Sequence, residues 1–137
     1  MALWLFKQEP EDFSYSQLEE AGKTIWDGVS NPLALKHLRS IKVGDRALFY
    51  HTGKEKAIVG EMKVIAGPMQ DPKEKDPKLV VVEVKPVKRY KVPVTLESIK
   101  EDKVFAGWEL IRIPRLSVMP VTQEMWDRIE ALGRELV

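Results

Sequence analysis

Few side chains in this sequence are equipped for covalent or acid–base chemistry, and their spacing matches none of the common catalytic arrangements. Its two histidines are His37 and His51, and it has no cysteine, which removes thiolate nucleophiles, thiolate metal sites and disulfides together. His37 falls on a predicted helix beside Lys36 and Arg39, a solvent-facing setting. His51 closes the run Phe49-Tyr50-His51, where an imidazole either serves a site or is hydrogen-bonded in the core. No His-x-x-His or His-x-x-x-His pair and no paired carboxylates supply a metal arrangement. Gly53-Lys54 resembles the end of a phosphate loop, but Leu48 stands where the first glycine belongs and Glu55 where Ser or Thr should follow. Neither a Gly-x-Ser-x-Gly elbow nor a dinucleotide fingerprint occurs. The expectation is a binding protein rather than an enzyme, with no metal and no other cofactor.

What remains is a set of aromatics with short polar neighbours, Trp4, Tyr15, Trp26, Tyr50 and Trp108. Spacing alone assigns most such rings to the core and a minority to a ligand. Twenty-two basic against twenty-one acidic side chains leave a net charge of +1, so any attraction to a polyanion must be local. Glu9, Glu11, Asp12, Glu19 and Glu20 make the start acidic. Lys85, Lys88, Arg89 and Lys91 surround Tyr90 with no acid among them, which fits either a track for phosphates or a strand edge guarded by lysines.

The elements that must position these groups are mostly strands. A length of 137 residues with 44% apolar side chains fits one domain over residues 1–137. Met1 to Phe6 ahead of Lys7 is too short for a signal peptide or a membrane span and reads as an opening strand; together with the missing cysteines this predicts a cytoplasmic protein without membrane contact. Ser16 to Glu19 has capping-box spacing with Gly22 as the stop. Asn31-Pro32 opens a second helix carrying Ala34, Leu35, Leu38 and Ile41 on one face. Strands follow at Asp45 to His51, Ala57 to Ala66 and Lys78 to Val84, with Gly67 to Pro77 as a surface loop and Gly60 marking a bulge or a close approach. A short helical turn near Leu96 and Ile99 and a closing helix after Thr122, with Met125, Ile129 and Leu132 inward and Gly133 near its end, complete the order. Because βαβ alternation stops after residue 45, the fold class is α+β, a mixed β-barrel with short peripheral helices.

Ordered blocks carry a more specific signal. Trp4-Leu5-Phe6-Lys7-Gln8-Glu9-Pro10 with Phe13-Ser14-Tyr15-Ser16, then Trp26-Asp27-Gly28-Val29-Ser30-Asn31, then Leu38 to Asp45 with Phe49-Tyr50-His51, Val59-Gly60, and finally Leu110-Ile111-Arg112 with Arg115 to Thr122 and Trp126 to Ile129 together resemble the EVE domain family across essentially the whole chain. The resemblance implies a PUA-like barrel related to the YTH readers of methylated adenine, and recognition of a modified base in nucleic acid, often a modified cytosine. Carried onto this sequence it places Trp26 and Asn31 at a base pocket, Lys7, Tyr15 and Ser16 along one wall, and Tyr50, His51, Arg115, Leu116 and Ser117 around the rest. Two positions depart from the family pattern: Ser30 replaces the usual arginine, and Ala34-Leu35-Lys36 replaces Ala-Arg-Asn.

On this reading the partner is nucleic acid carrying a modified base, 5-methylcytosine being the leading case, taken as a single strand or by flipping a base out of the duplex at a cost of a few kcal/mol. Trp26 would stack on it for roughly 1–3 kcal/mol, Asn31 and Ser117 would meet its polar edge, and Lys7, Arg115 and the residues Lys85, Lys88, Arg89 and Lys91 would take phosphates. The competing expectations are a nucleotide- or nucleic-acid-processing enzyme using His51 beside Tyr50 and Arg115, and a protein-interaction module using an exposed sheet edge.

Overall fold

The opening apolar run forms strand β1 (Leu3–Gln8) in a computed structural model that describes residues 2–134; Met1 and residues 135–137, which the single-domain expectation includes, lie outside the described residues. β1 pairs in parallel with β3 (Arg46–His51) and antiparallel with β6 (Val118–Pro120). β3 continues to β4 (Ala57–Gln70), β4 to β5 (Val80–Thr95) and β5 to β2 (Thr24–Trp26), all antiparallel. The sheet order is β2-β5-β4-β3-β1-β6. Four strand spacings of about 4.8 Å would hold β2 and β1 about 19 Å apart in a flat sheet, yet the rings of Trp26 and Phe6 lie 5.2 Å apart. The sheet is therefore curled into a half-barrel, the α+β architecture expected from the sequence.

Short helices cover the rim. α1 (Tyr15–Ala21) is capped two residues earlier than expected: the Ser14 hydroxyl accepts from Gln17 N–H and the Gln17 side-chain oxygen accepts from Ser14 N–H. The spacing is that of the Ser16–Glu19 pair, but starting at Tyr15 turns both Tyr15 and Leu18 inward, and burial of those two decides the register. Gly22 ends the helix at φ 78°, as expected. α2 (Pro32–Ser40) begins at Asn31, whose Oδ1 accepts from Leu33 and Ala34 N–H at 2.9 and 3.1 Å. α3 (Leu96–Glu101) and α5 (Gln123–Arg134) stand where the sequence placed them, whereas a 3-10 turn at Lys103–Phe105 and α4 (Glu109–Arg112) carried no usable periodicity at three and four residues.

The segment expected to be a loop from Gly67 is strand as far as Gln70. Successive register shifts along β4 and β5 absorb Gly67 and Pro68, because a bulge leaves residues out of the ladder and so tolerates a missing N–H. The true loop is residues 71–79, and β5 is far longer than expected, carrying the basic stretch inside it.

Gly60 shows why curvature needs a glycine here. The β3–β4 register shifts beside it, and a Cβ would stand 2.6 Å from the Tyr15 ring and 2.9 Å from the Lys88 carbonyl. Tyr15 cannot retreat, being fully buried with its hydroxyl 2.8 and 2.9 Å from the Glu61 and Lys88 carbonyls. Gly60→Ala is expected to lower stability by about 1–3 kcal/mol; an unchanged urea midpoint would show that this approach is not tight.

Candidate functional site

Pairing register sorts the aromatics onto two faces of the sheet. On β1 and β3, Phe6 and Gln8 lie opposite Phe49 and His51, while Leu5 and Lys7 lie opposite Leu48 and Tyr50. Alternation then sends the first set to one face and the second to the other. Two separate cavities follow from that division.

The first, about 370 Å³, is lined by Gln8, Phe13, Trp26, Asp27, Asp71 and Lys73 among others. Four segments make it: the end of β1, the β1–α1 connection at Phe13, β2 with Asp27 just beyond it, and the start of the 71–79 loop. Trp26 forms its inner end. Phe49 meets the indole edge to face at 5.2 Å and 85°, and Phe6 packs against it tilted at 49°. With only 3% of its surface exposed, Trp26 closes the cavity rather than offering a fully open platform, and the half-buried Phe13 supplies a second ring at the wall.

Hydrogen-bonding capacity in this cavity is unspent. Gln8 Oε1 accepts from Glu9 N–H, and its amide NH2 has no partner among the described residues. Asp71 is 6% exposed; its Oδ1 accepts from Lys73 N–H at 2.9 Å, and no described residue bonds its other oxygen. Asp27 faces the Lys73 ammonium at 3.8 Å. Two carboxylates and an amide thus surround an aromatic-lined hollow. These acceptors open to the hollow and are available to a donor that enters it.

The other residues singled out from the sequence are distributed more widely. Lys7 and Tyr50 line the second cavity, on the opposite face. Tyr15 and Leu116 are wholly buried, and burial pushes the Tyr15 phenol up to about 12. Ser16 is exposed and accepts from Arg89 Nη2 at 2.8 Å. Asn31 is occupied as the α2 cap and does not line the first cavity. Arg115 is exposed, and the Ser117 carbonyl accepts from Lys7 N–H. His51 Nε2 accepts from Tyr15 N–H at 3.1 Å, so its proton sits on Nδ1 and is donated to Glu55 at 2.7 Å. Both imidazole nitrogens are used inside the protein.

In the basic stretch, Lys88 pairs with Glu130 at 3.0 Å, and Arg89 pairs with Glu19 at 2.7 Å while lying over the Tyr15 ring. Lys85 and Lys91 are exposed and form no ion pair among the described residues. Sequence reasoning missed Gln8, Phe13, Asp27, Asp71 and Lys73 as lining residues. Gln8, Phe13 and Asp27 lay inside blocks already singled out; nothing in the local sequence marked Asp71 or Lys73, since only the return of the loop against β2 brings them in.

The model of the EVE domain family matches residues 2–132. The chain belongs to the EVE domain family. Mouse thymocyte nuclear protein 1 is 36% identical to this EVE domain over 94% of the chain and 72% of its own length. Rpa0253 from Rhodopseudomonas palustris has the same fold with a TM-score of 0.91 and 38% identity, covering 97% of this chain and 93% of that one. The human THYN1 protein, solved in complex with 5-methylcytosine-containing DNA, superposes with a TM-score of 0.90 at 30% identity over the full length of both chains.

Proposed function

We propose that this EVE domain is a non-catalytic reader of a modified base in nucleic acid, a modified cytosine in DNA, taken into the first cavity from a single strand or flipped from a duplex. The observation that carries the reading is the joining of two rings, Trp26 and Phe13, with carboxylate acceptors at Asp71 and Asp27 and a free amide donor at Gln8 in one hollow. Cytosine presents an N4 amino group that carboxylates accept, and its neighbouring acceptors match the Gln8 amide. A 5-methyl group adds an apolar contact for a ring wall. The THYN1 complex with 5-methylcytosine-containing DNA supports the same choice of ligand.

The proposed domain is the whole of residues 1–137. His51, the residue an enzyme would need as acid or base, has both nitrogens engaged, which favours binding over turnover. No helix among the described residues is long and apolar enough to cross a membrane. The proposed location is the cytoplasm or, following the name of the relatives, the nucleus.

Fluorescence anisotropy with short strands carrying cytosine, 5-methylcytosine or thymine tests the reading. Methylation is expected to tighten binding by roughly 10–200-fold, the value of one apolar methyl contact. Asp71→Asn keeps the turn, because an amide oxygen still accepts from Lys73 N–H, but loses a charged acceptor worth about 1.5–3 kcal/mol; it should weaken cytosine-containing strands about tenfold or more and thymine strands little. Equal affinity for all strands in both proteins would remove the proposal.

A further inference from the structure

The second cavity, about 270 Å³, lies on the other face of β1 and has a different chemistry. Three lysines line it, Lys7, Lys56 and Lys100, and no acidic residue does. Tyr50 and Thr52 supply hydroxyls at its base, and Leu96 and Pro114 belong to its apolar wall. Lys7 is the central element. Its Nζ donates to the Pro114 carbonyl at 2.8 Å and lies 5.6 Å from the centre of the Tyr50 ring. Neither partner carries a charge, and no ion pair with Lys7 forms among the described residues. Burial holds the Lys7 ammonium below its ordinary value of 10.5 with no opposing carboxylate. A half-buried ammonium without a counter-ion is a site that gains from an anion.

The remaining groups fit the same occupant. The Tyr50 hydroxyl has no hydrogen-bond partner among the described residues, and burial pushes it up to about 12, so it stays a donor through the neutral range. Lys56 holds a left-handed backbone at φ 46°, tied down where its carbonyl accepts from Leu96 N–H at 2.8 Å. The nearest acids, Glu9, Glu55 and Glu97, are not part of the cavity's lining. Glu9 accepts from the Thr52 hydroxyl, and Glu55 accepts from His51; Glu55 and Glu97 border the adjoining hollow that Lys56 and Lys100 also touch. By contrast, Lys88 and Arg89 of the basic strand already face carboxylates.

We propose that this second cavity binds a backbone phosphate of the nucleic-acid strand whose base enters the first, with Lys7, Lys56 and Lys100 as its cationic wall and Tyr50 as a neutral donor. The identity of the strand rests on the function proposed above; the affinity for phosphate does not. Lys7 and Gln8 are consecutive, about 3.8 Å apart at their Cα atoms, and their side chains leave β1 on opposite faces. A strand crossing the end of β1 therefore meets both cavities, base on one side and phosphate on the other.

The test is the salt dependence of binding to a 5-methylcytosine strand, measured for the wild type, for Lys56→Gln/Lys100→Gln, and for Lys85→Gln/Lys91→Gln as a control of equal charge. Each neutralised phosphate contributes about 0.7–0.9 to the slope of log K against log salt, so the cavity variant, which weakens the hold on one phosphate, should lose up to about 0.7–0.9. That loss should be the same for methylated and unmethylated strands, while the control keeps the wild-type slope. An unchanged slope in the cavity variant, or an equal loss in the control, overturns the proposal. Absence of any methyl preference in the wild type would defeat the base reading and leave the slope comparison intact. Should the wild type bind no strand at all, titration with inorganic phosphate decides: amide shifts at Gly53 and Lys56 that vanish in the variant support the site, and no shifts reject it.

Discussion

Trp26→Ala is expected to lose about 3–5 kcal/mol of stability and, in whatever fraction stays folded, all preference for the methylated base. The two effects share one cause. Trp26 is the part of the first cavity that is also core: Phe6 and Phe49 pack against it from across the half-barrel, and only 3% of its surface is exposed. Truncation removes a large buried ring and opens a hole continuous with the cavity. Trp26→Phe separates folding from recognition, since a smaller ring retains much of the contact with Phe49. Its stability should fall less, by about 1–3 kcal/mol, while binding weakens by up to the roughly 1–3 kcal/mol that a stacked ring contributes. Thermal melting and anisotropy on the same samples check both. A well-folded Trp26→Ala protein that still preferred methylated strands would take the base out of this cavity.

Replacing Arg46 by Met should cost about 3–5 kcal/mol at neutral pH, the price of leaving one member of a buried ion pair behind. Glu61 has no exposed surface, and the Arg46 guanidinium is its close partner; Lys88 stands 3.9 Å away and also pairs with Glu130 on α5. Glu61 Oε1 itself has no hydrogen bond. Arg46 also covers the Trp126 ring at 5.3 Å, so the cluster ties α5 to the sheet, and a methionine keeps the contact with that ring while losing the charge. Burial already pushes the Glu61 carboxyl above its ordinary value of 4.5 despite Arg46 and Lys88, and removing the guanidinium pushes it higher. A carboxyl raised in the folded state binds its proton more tightly there than when unfolded. The stability it confers is therefore complete below about pH 4.5, the unfolded value, and is lost as pH rises toward the folded one. The deficit of Arg46→Met should accordingly be small in acid and grow with pH, as urea denaturation from pH 4 to 8 would record. A deficit independent of pH would mean that Arg46 acts through packing alone.

Helix starts and stops were readable because capping is local. Asn31 and Gly22 work through bonds to residues two to four positions away, and Pro32 through its own fixed φ, so their spacing carries the information. The Ser14 cap shows where this fails: two equally spaced candidates differed only in whether Tyr15 and Leu18 would turn inward, which burial decides. The run of family blocks, from Trp4 to Ile129, was likewise visible in the linear order, and with it the family and the half-barrel. Trp26 was singled out for that reason, and it lines the first cavity.

The side chains that the curled sheet brings into one cavity, in contrast, are not legible in the sequence. Curling brings Trp26 against Phe6 across four strand spacings, and it returns residues 71–73 to β2. Parallel pairing of β1 with β3 then puts Lys7 and Tyr50 on the face away from Gln8. What the sequence by itself determined was the set of residue types, the local caps and the family, all of which depend on neighbours along the chain. Only the tertiary structure decided that Asp71 joins the aromatic hollow, that Lys88 and Arg89 are held by Glu130 and Glu19, and that Lys56 and Lys100 join Lys7, because each of these pairings spans tens of residues and exists only once the sheet has curled.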